Sequence, residues 1–153
     1  MVKIILKNEE DTEKFGIRLG KILKGGDIIS LTGDLGAGKT TLTKSIGKGL
    51  DVKDYITSPT FALINEYKGR VDLYHFDVYR LDGIESLYDL GYEDYFYSDG
   101  VTIVEWGDKV KDLLPDNTIN IHIDKGEGLE ERIITIYGQG ERFDQIVKEL
   151  NMN

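Results

Sequence analysis

One stretch constrains this chain more than any other: GDLGAGKT, Gly33–Thr40, set between the apolar run DIISL and the helix-like TLTKSIGKGL. Three glycines fall within six residues, although each ordered glycine costs roughly 0.5–1 kcal/mol relative to alanine inside a regular element. Bare backbone must therefore meet something. The spacing G-x-x-x-x-G-K-[ST], with a strand before and a helix after, is that of a phosphate-binding loop. In such a loop consecutive amide N–H groups turn inward around phosphate oxygens, and side chains at Gly36 and Gly38 would obstruct that approach. Gly33, Asp34, Leu35, Gly36, Ala37 and Gly38 then form the cradle. Lys39 is expected to bridge the β- and γ-phosphates, the Thr40 hydroxyl to ligate Mg²⁺, and Thr41 to meet the α-phosphate. A plain glycine turn entering a helix explains the glycines but leaves the lysine and threonine unexplained.

Such a site also needs an acid near Thr40, at the end of a neighbouring strand. Two acids qualify. Glu105 ends the apolar run GVTIVEW, where a carboxylate is expensive unless it faces a cation or a polar cleft. Asp77 lies in LYHFDVYR, where period-two alternation puts Leu73, His75, Asp77 and Tyr79 on one face and Tyr74, Phe76 and Val78 on the other. Glu105 is expected to support the metal, directly or through water, and Asp77 to position the attacking water or to stand behind the metal's ligands. The residues alone leave an exchange of these roles open, as they do a salt bridge from Asp77 to Arg80. His75 reads as a hydrogen-bonded core histidine. In TSPTF, Pro59 fixes a turn while Ser58 and Thr60 offer hydroxyls that could sense a γ-phosphate.

The rest of the chain supplies the frame. VKIIL reads as a strand, and NEEDTEKFGIRLGKIL places Phe15, Leu19, Ile22 and Leu23 at helical spacing before Gly25 and Gly26. Gly47 and Gly49, late in the next helix, suggest close packing or a terminal cap. TFALINEYKGRVDLYHFDVYR predicts two strands joined around Lys68-Gly69-Arg70. One short helix is expected in DGIESLYDLGYEDYF, with Ile84, Leu87 and Tyr88 on its apolar face. A buried strand in GVTIVEW, a helical turn stopped near Pro115, strands TINIHID and RIITIYG, and a helix burying Phe143, Ile146, Val147 and Leu150 complete the reading. The expected fold is α/β: one P-loop NTPase-like domain over residues 1–153, with a mixed central sheet, helices on both faces and an antiparallel hairpin.

Composition narrows the function classes. The absence of cysteine excludes disulfides, thiolate metal sites and a cysteine nucleophile, and fits a reducing cytoplasm. The N-terminal apolar run is too short for a signal peptide or a membrane span, so a cytoplasmic protein with no membrane partner is expected. A formal net charge of −9 opposes direct grip on a nucleic-acid backbone. The aromatic run Tyr88, Tyr92, Tyr95, Phe96 and Tyr97 reads either as a docking surface or as ordinary helix packing.

Taken in order, GDLGAGKTTL, SPTF, YHFDVYRL and VEWGD closely resemble the TsaE family, also called YjeE, of bacterial P-loop ATPases that take part in making threonylcarbamoyladenosine in tRNA. The resemblance runs from the first helix to about RIITIYG. It implies binding of ATP and Mg²⁺, slow ATP hydrolysis by the isolated protein, and assistance to a complex of TsaB- and TsaD-like proteins. In that scheme TsaD modifies adenosine 37 of tRNA, and this chain meets tRNA only indirectly through the complex. Residue by residue, the resemblance places Gly33 through Thr41 on the phosphates, with Lys39 on the phosphates and Thr40 on the metal. It assigns Ser58, Pro59, Thr60 and Phe61 to a switch-like segment, and His75, Phe76, Asp77 and Arg80 to a characteristic strand. Glu105 falls near Mg²⁺ beside Trp106, and Thr12 and Arg132 fall on the adenine side.

Two other readings use the same loop. A small-molecule kinase would need a basic clamp, whereas Arg18, Arg70, Arg80, Arg132 and Arg142 are widely scattered. A nucleotide-gated binding module would bind partners tightly only with ATP and turn over below about one per minute. The residues contain no N-K-x-D element for guanine, and the preference for ATP rests on the resemblance.

Overall fold

The computed structural model describes residues 1–34, 36–57, 64–79 and 85–151. Leu35, Ser58, Pro59, Thr60, Phe61, Arg80 and Ile84, all singled out above, lie outside the described residues.

The chain begins with β1 (Val2–Leu6) and α1 (Glu9–Ile22). Asn8 caps α1 by accepting the Asp11 N–H at 2.8 Å, and Glu9, Glu10 and Asp11 complement the positive end of the helix. Next come β2 (Ile28–Gly33), the glycine loop and α2 (Lys39–Gly49). The expected hairpin is present as β3 (Ile64–Tyr67) and β4 (Leu73–Asp77). β5 (Val101–Glu105) leads into a 3-10 helix (Gly107–Leu113), and β6 (Ile119–Lys125), β7 (Arg132–Tyr137) and α5 (Glu141–Asn151) follow.

One expectation is corrected between β4 and β5. The single short helix is two: α3 (Glu85–Leu90) and α4 (Tyr92–Phe96). Gly91 breaks them apart because it adopts a left-handed conformation, φ +69°, which no continuing helix contains. Leu87 is buried as expected, but Tyr88 is 52% exposed. In the aromatic run, Tyr92 and Phe96 are core residues while Tyr88 and Tyr97 face solvent.

All seven strands form one mixed sheet in the order β1-β7-β6-β2-β5-β4-β3. β6, β2, β5 and β4 run parallel, and antiparallel strands flank them on both sides. Both faces of the parallel part are covered, as such a sheet requires. On one face α1, α2 and α5 enclose a core that includes Leu19, Leu42, Ile46, Ile29, Leu31 and Ile146. On the other, α3, α4 and the 3-10 helix cover Ile28, Phe76, Val78 and Val104. The alternation read in β4 holds: Leu73 belongs to the first core and Phe76 and Val78 to the second.

α1 and α2 touch backbone to backbone. A methyl group added at Gly20 would lie 2.2 Å from the Ile46 carbonyl oxygen, and one at Gly49 would lie 2.2 Å from that of Ile17. Gly49 therefore serves close packing, one of the two roles expected of it. No helix among the described residues is long and apolar enough to cross a membrane.

Candidate functional site

The loop Gly33–Thr40 leaves the carboxyl end of β2, a central strand, and enters α2 directly. Ligands of open α/β sheets bind at this edge. Gly36 and Gly38 have φ of +81° and +110°, a region that side chains make costly, so glycine is required for this path. No side chain among the described residues caps α2.

Lys39 is 5% exposed and turns back over the loop. Its Nζ donates to the carbonyl oxygens of Gly33 at 2.8 Å and Asp34 at 2.9 Å, and stands 4.0 Å from the centre of the Trp106 ring. Burial lowers the ammonium's pKa, while the carboxylates of Glu105, Asp77, Asp34 and Asp108 oppose that fall. A positive group thus already occupies the mouth of the loop, satisfied by the loop itself.

The sheet brings the two predicted acids together. Glu105 stands opposite Leu31 of β2 on one side and opposite Asp77 of β4 on the other. It is 2% exposed. The Thr40 hydroxyl donates to Glu105 Oε1 at 3.0 Å, and His75 Nε2 is in hydrogen-bond contact with Glu105 Oε2. The buried carboxylate thus faces a polar cleft, the condition under which it is tolerable at a strand end. Asp77 is half-buried at the same cleft, and its Oδ1 accepts the Tyr79 N–H at 3.0 Å. Its pKa is raised, chiefly by burial and further by Glu105, against the opposing effect of that N–H, His75 and Lys39.

Gly36, Gly38, Lys39, Thr40, Thr41, Asp77, Tyr79, Glu105 and Trp106 line one cleft of about 320 Å³. Tyr79 and Trp106 form its aromatic wall, ring centres 4.7 Å apart. Thr12 and Arg132 also come together, in a hollow of about 50 Å³ that shares Gly38 and Thr41 with the cleft. The Arg132 Nε donates to the Ala37 carbonyl at 2.8 Å, so β7 braces the loop from outside. A larger groove of about 600 Å³ lies between the 3-10 helix and the β6–β7 part of the sheet, lined by residues such as Ser30, Asn120 and Tyr137. Of the predicted site residues that are described, none lines it.

Sequence reasoning missed three contributions. His75 is the fully buried core residue that the sequence predicts, but its contact with Glu105 has no signal in the local pattern. The period-two pattern puts His75 on the face of Asp77, yet only the β4–β5 pairing reveals Glu105 beside it. Tyr79, stacked on Trp106, and Lys109, which donates to the Tyr79 carbonyl, have no signal of their own in the sequence.

Fold and cleft define an α/β protein whose central strand, glycine loop and helix meet two strand-end carboxylates. Comparison with known proteins agrees. A family model described as "Threonylcarbamoyl adenosine biosynthesis protein TsaE" matches residues 6–134. The tRNA threonylcarbamoyladenosine biosynthesis protein TsaE of Bacillus subtilis is 41% identical over 145 residues, covering 94% of this chain and 90% of that protein. The Nostoc protein of the same name is 45% identical over 141 residues, covering 88% of this chain and 86% of that one. The crystal structure of Bacillus subtilis YdiB superposes with a TM-score of 0.79 at 37% identity, covering 97% of this chain and 93% of that one. The chain belongs to the TsaE family of threonylcarbamoyl adenosine biosynthesis proteins.

Proposed function

We propose that this protein is a Mg²⁺-dependent ATPase, slow in isolation, that serves TsaB- and TsaD-like partners in the threonylcarbamoylation of adenosine 37 of tRNA. The observation that supports this reading best is the direct contact of Thr40 with Glu105 beside a buried Lys39. The donor set fits the ion: a hydroxyl and a carboxylate, with a second carboxylate nearby, are hard oxygen ligands suited to Mg²⁺, which keeps several of its waters. Thr40 and Glu105 would hold it, with Asp77 behind, and it would neutralise phosphate charge.

Lys39 exchanges the Gly33 and Asp34 carbonyls for β- and γ-phosphate oxygens, a stronger charge-assisted contact. The loop amides and the uncapped start of α2 hold the remaining phosphate oxygens. Asp77, oriented by the Tyr79 N–H, accepts a hydrogen bond from the attacking water. Thr12 and Arg132 lie toward the adenine side of the cleft. A kinase reading loses ground because three of the described arginines serve other ends. Arg70 donates to the Gly20 and Leu23 carbonyls, Arg132 to Ala37, and Arg142 to Asp27. With a net charge of −9, contact with tRNA through a partner is favoured over direct grip.

Calorimetric titration with ATP, with and without Mg²⁺, tests the site. Lys39→Ala is expected to abolish binding while circular dichroism shows an intact fold; retained ATP turnover would remove the phosphate-loop reading. Glu105→Ala is expected to weaken the Mg²⁺ dependence more than Asp77→Ala does, and the opposite order would exchange their roles. Co-purification of TsaB- and TsaD-like proteins in the presence of ATP but not in its absence tests the partner assignment.

A further inference from the structure

His75 lies in the middle of β4 with no exposed surface, and its two ring nitrogens have different fates. Nε2 meets Glu105 Oε2, whereas Nδ1 is buried and has no hydrogen-bond partner among the described residues. A contact in which the carboxylate accepts needs the imidazole proton on Nε2, so the geometry favours the tautomer with Nε2–H as donor. Nδ1 is then a buried lone pair left bare, an arrangement that folded proteins avoid unless something offsets it. An aliphatic side chain would fill the same space between β3 and β5 without that penalty, so packing does not account for an imidazole here.

We propose that His75 is the positioning residue of the cation site: its Nε2–H fixes the Glu105 carboxylate so that Oε1 faces the Thr40 hydroxyl. The proposal rests on the reading of Thr40 and Glu105 as the pair that faces Mg²⁺. Among the described residues Glu105 has two side-chain anchors: Thr40, at 3.0 Å from Oε1 and 3.3 Å from Oε2, and His75 on Oε2. The Thr40 hydroxyl has one hydrogen and two lone pairs, so it can turn a lone pair to a cation while still donating to Glu105. His75 is the anchor that would not itself face the cation, and it does not line the cleft that the nucleotide would fill. Its loss should therefore weaken the hold on the cation and spare the hold on the metal-free nucleotide.

Two amides separate this role from a structural one. His75→Gln places an amide N–H near the position of Nε2, whereas His75→Asn is too short to reach Glu105, and both put a polar amide in the same buried space. Mn²⁺ serves as the probe, read by its electron paramagnetic resonance at saturating ADP, and ADP binding in EDTA is read by calorimetry. His75→Asn is expected to lose Mn²⁺ affinity by on the order of 10–100-fold, and His75→Gln to recover most of it. ADP affinity in EDTA should stay near that of the unaltered protein in both variants. Equal Mn²⁺ affinities in the two variants, or a parallel loss of metal-free ADP binding, overturns the proposal.

Nitrogen-15 spectra of the unaltered protein give a check that no folding defect can obscure. The chain has two histidines, so loss of one set of signals in His122→Gln assigns the other to His75. His75 should be protonated at Nε2, both with and without Mg²⁺ and ADP; a proton at Nδ1 alone overturns the proposal. Failure of the unaltered protein to bind ADP under any condition removes the nucleotide reading and this one together. Normal binding that is insensitive to His75 removes this one alone.

Discussion

Asp77 pairs across β4 and β5 with Glu105, so two acids share one cleft. Burial, reinforced by that neighbour, raises the aspartate's pKa, and the folded protein therefore holds the proton more tightly than the unfolded chain does. The stability this contributes is complete below the ordinary aspartate value of about 3.9 and is lost as pH rises through the folded value. Asp77→Asn removes the charge and keeps an oxygen for the Tyr79 N–H. It should raise the melting temperature at pH 7 and leave it unchanged near pH 3. The gain should be a few tenths of a kcal/mol, because a half-buried group is screened by water. A lower melting temperature at pH 7 would contradict the cause assigned to the shift. At this scale much was legible: the glycine-loop spacing singles out Lys39 and Thr40, the acid that ends an apolar run singles out Glu105, and the structure gathers all three in one cleft. The partner of His75 was not, because cross-strand neighbours depend on a strand order that no local pattern encodes.

Among the elements, α1 and α2 make the tightest contact, and glycines permit it. Gly20→Ala should destabilise the protein by about 1–3 kcal/mol, the usual cost of overpacking, since a methyl there meets backbone rather than a movable side chain. Urea unfolding measures this, and a loss below a few tenths of a kcal/mol would mean that the helices separate freely. The sequence signalled close packing at Gly49 but not its counterpart Gly20, since a lone glycine in a helical pattern has several readings. The same ambiguity joined α3 to α4: hydrophobic spacing continues across Gly91, and only its left-handed backbone shows the break.

Over the whole molecule, distant segments complete each other. Asp27, at the start of β2, is nearly buried and accepts from Arg142 of α5 at 2.8 and 2.9 Å. That contact raises the guanidinium's pKa. Arg142→Met leaves the Asp27 carboxylate with the Lys24 N–H and should cost about 3 kcal/mol in urea unfolding; a cost near zero would mean the pair is incidental. The mixed sheet was legible from alternating strand and helix patterns, whereas its order was not, because β1 pairs with β7 across almost the full chain. Arg132 of β7 reaches the loop residue Ala37, ninety-five positions earlier. A ribosome releases the glycine loop long before it releases that guanidinium, and it releases β1 long before the strand that hydrogen-bonds to it. A nascent chain halted ahead of residue 132 therefore has an unbraced loop, an orphan first strand and an uncompensated Asp27, so the loop gains its final support late in synthesis, with the last strand and helix.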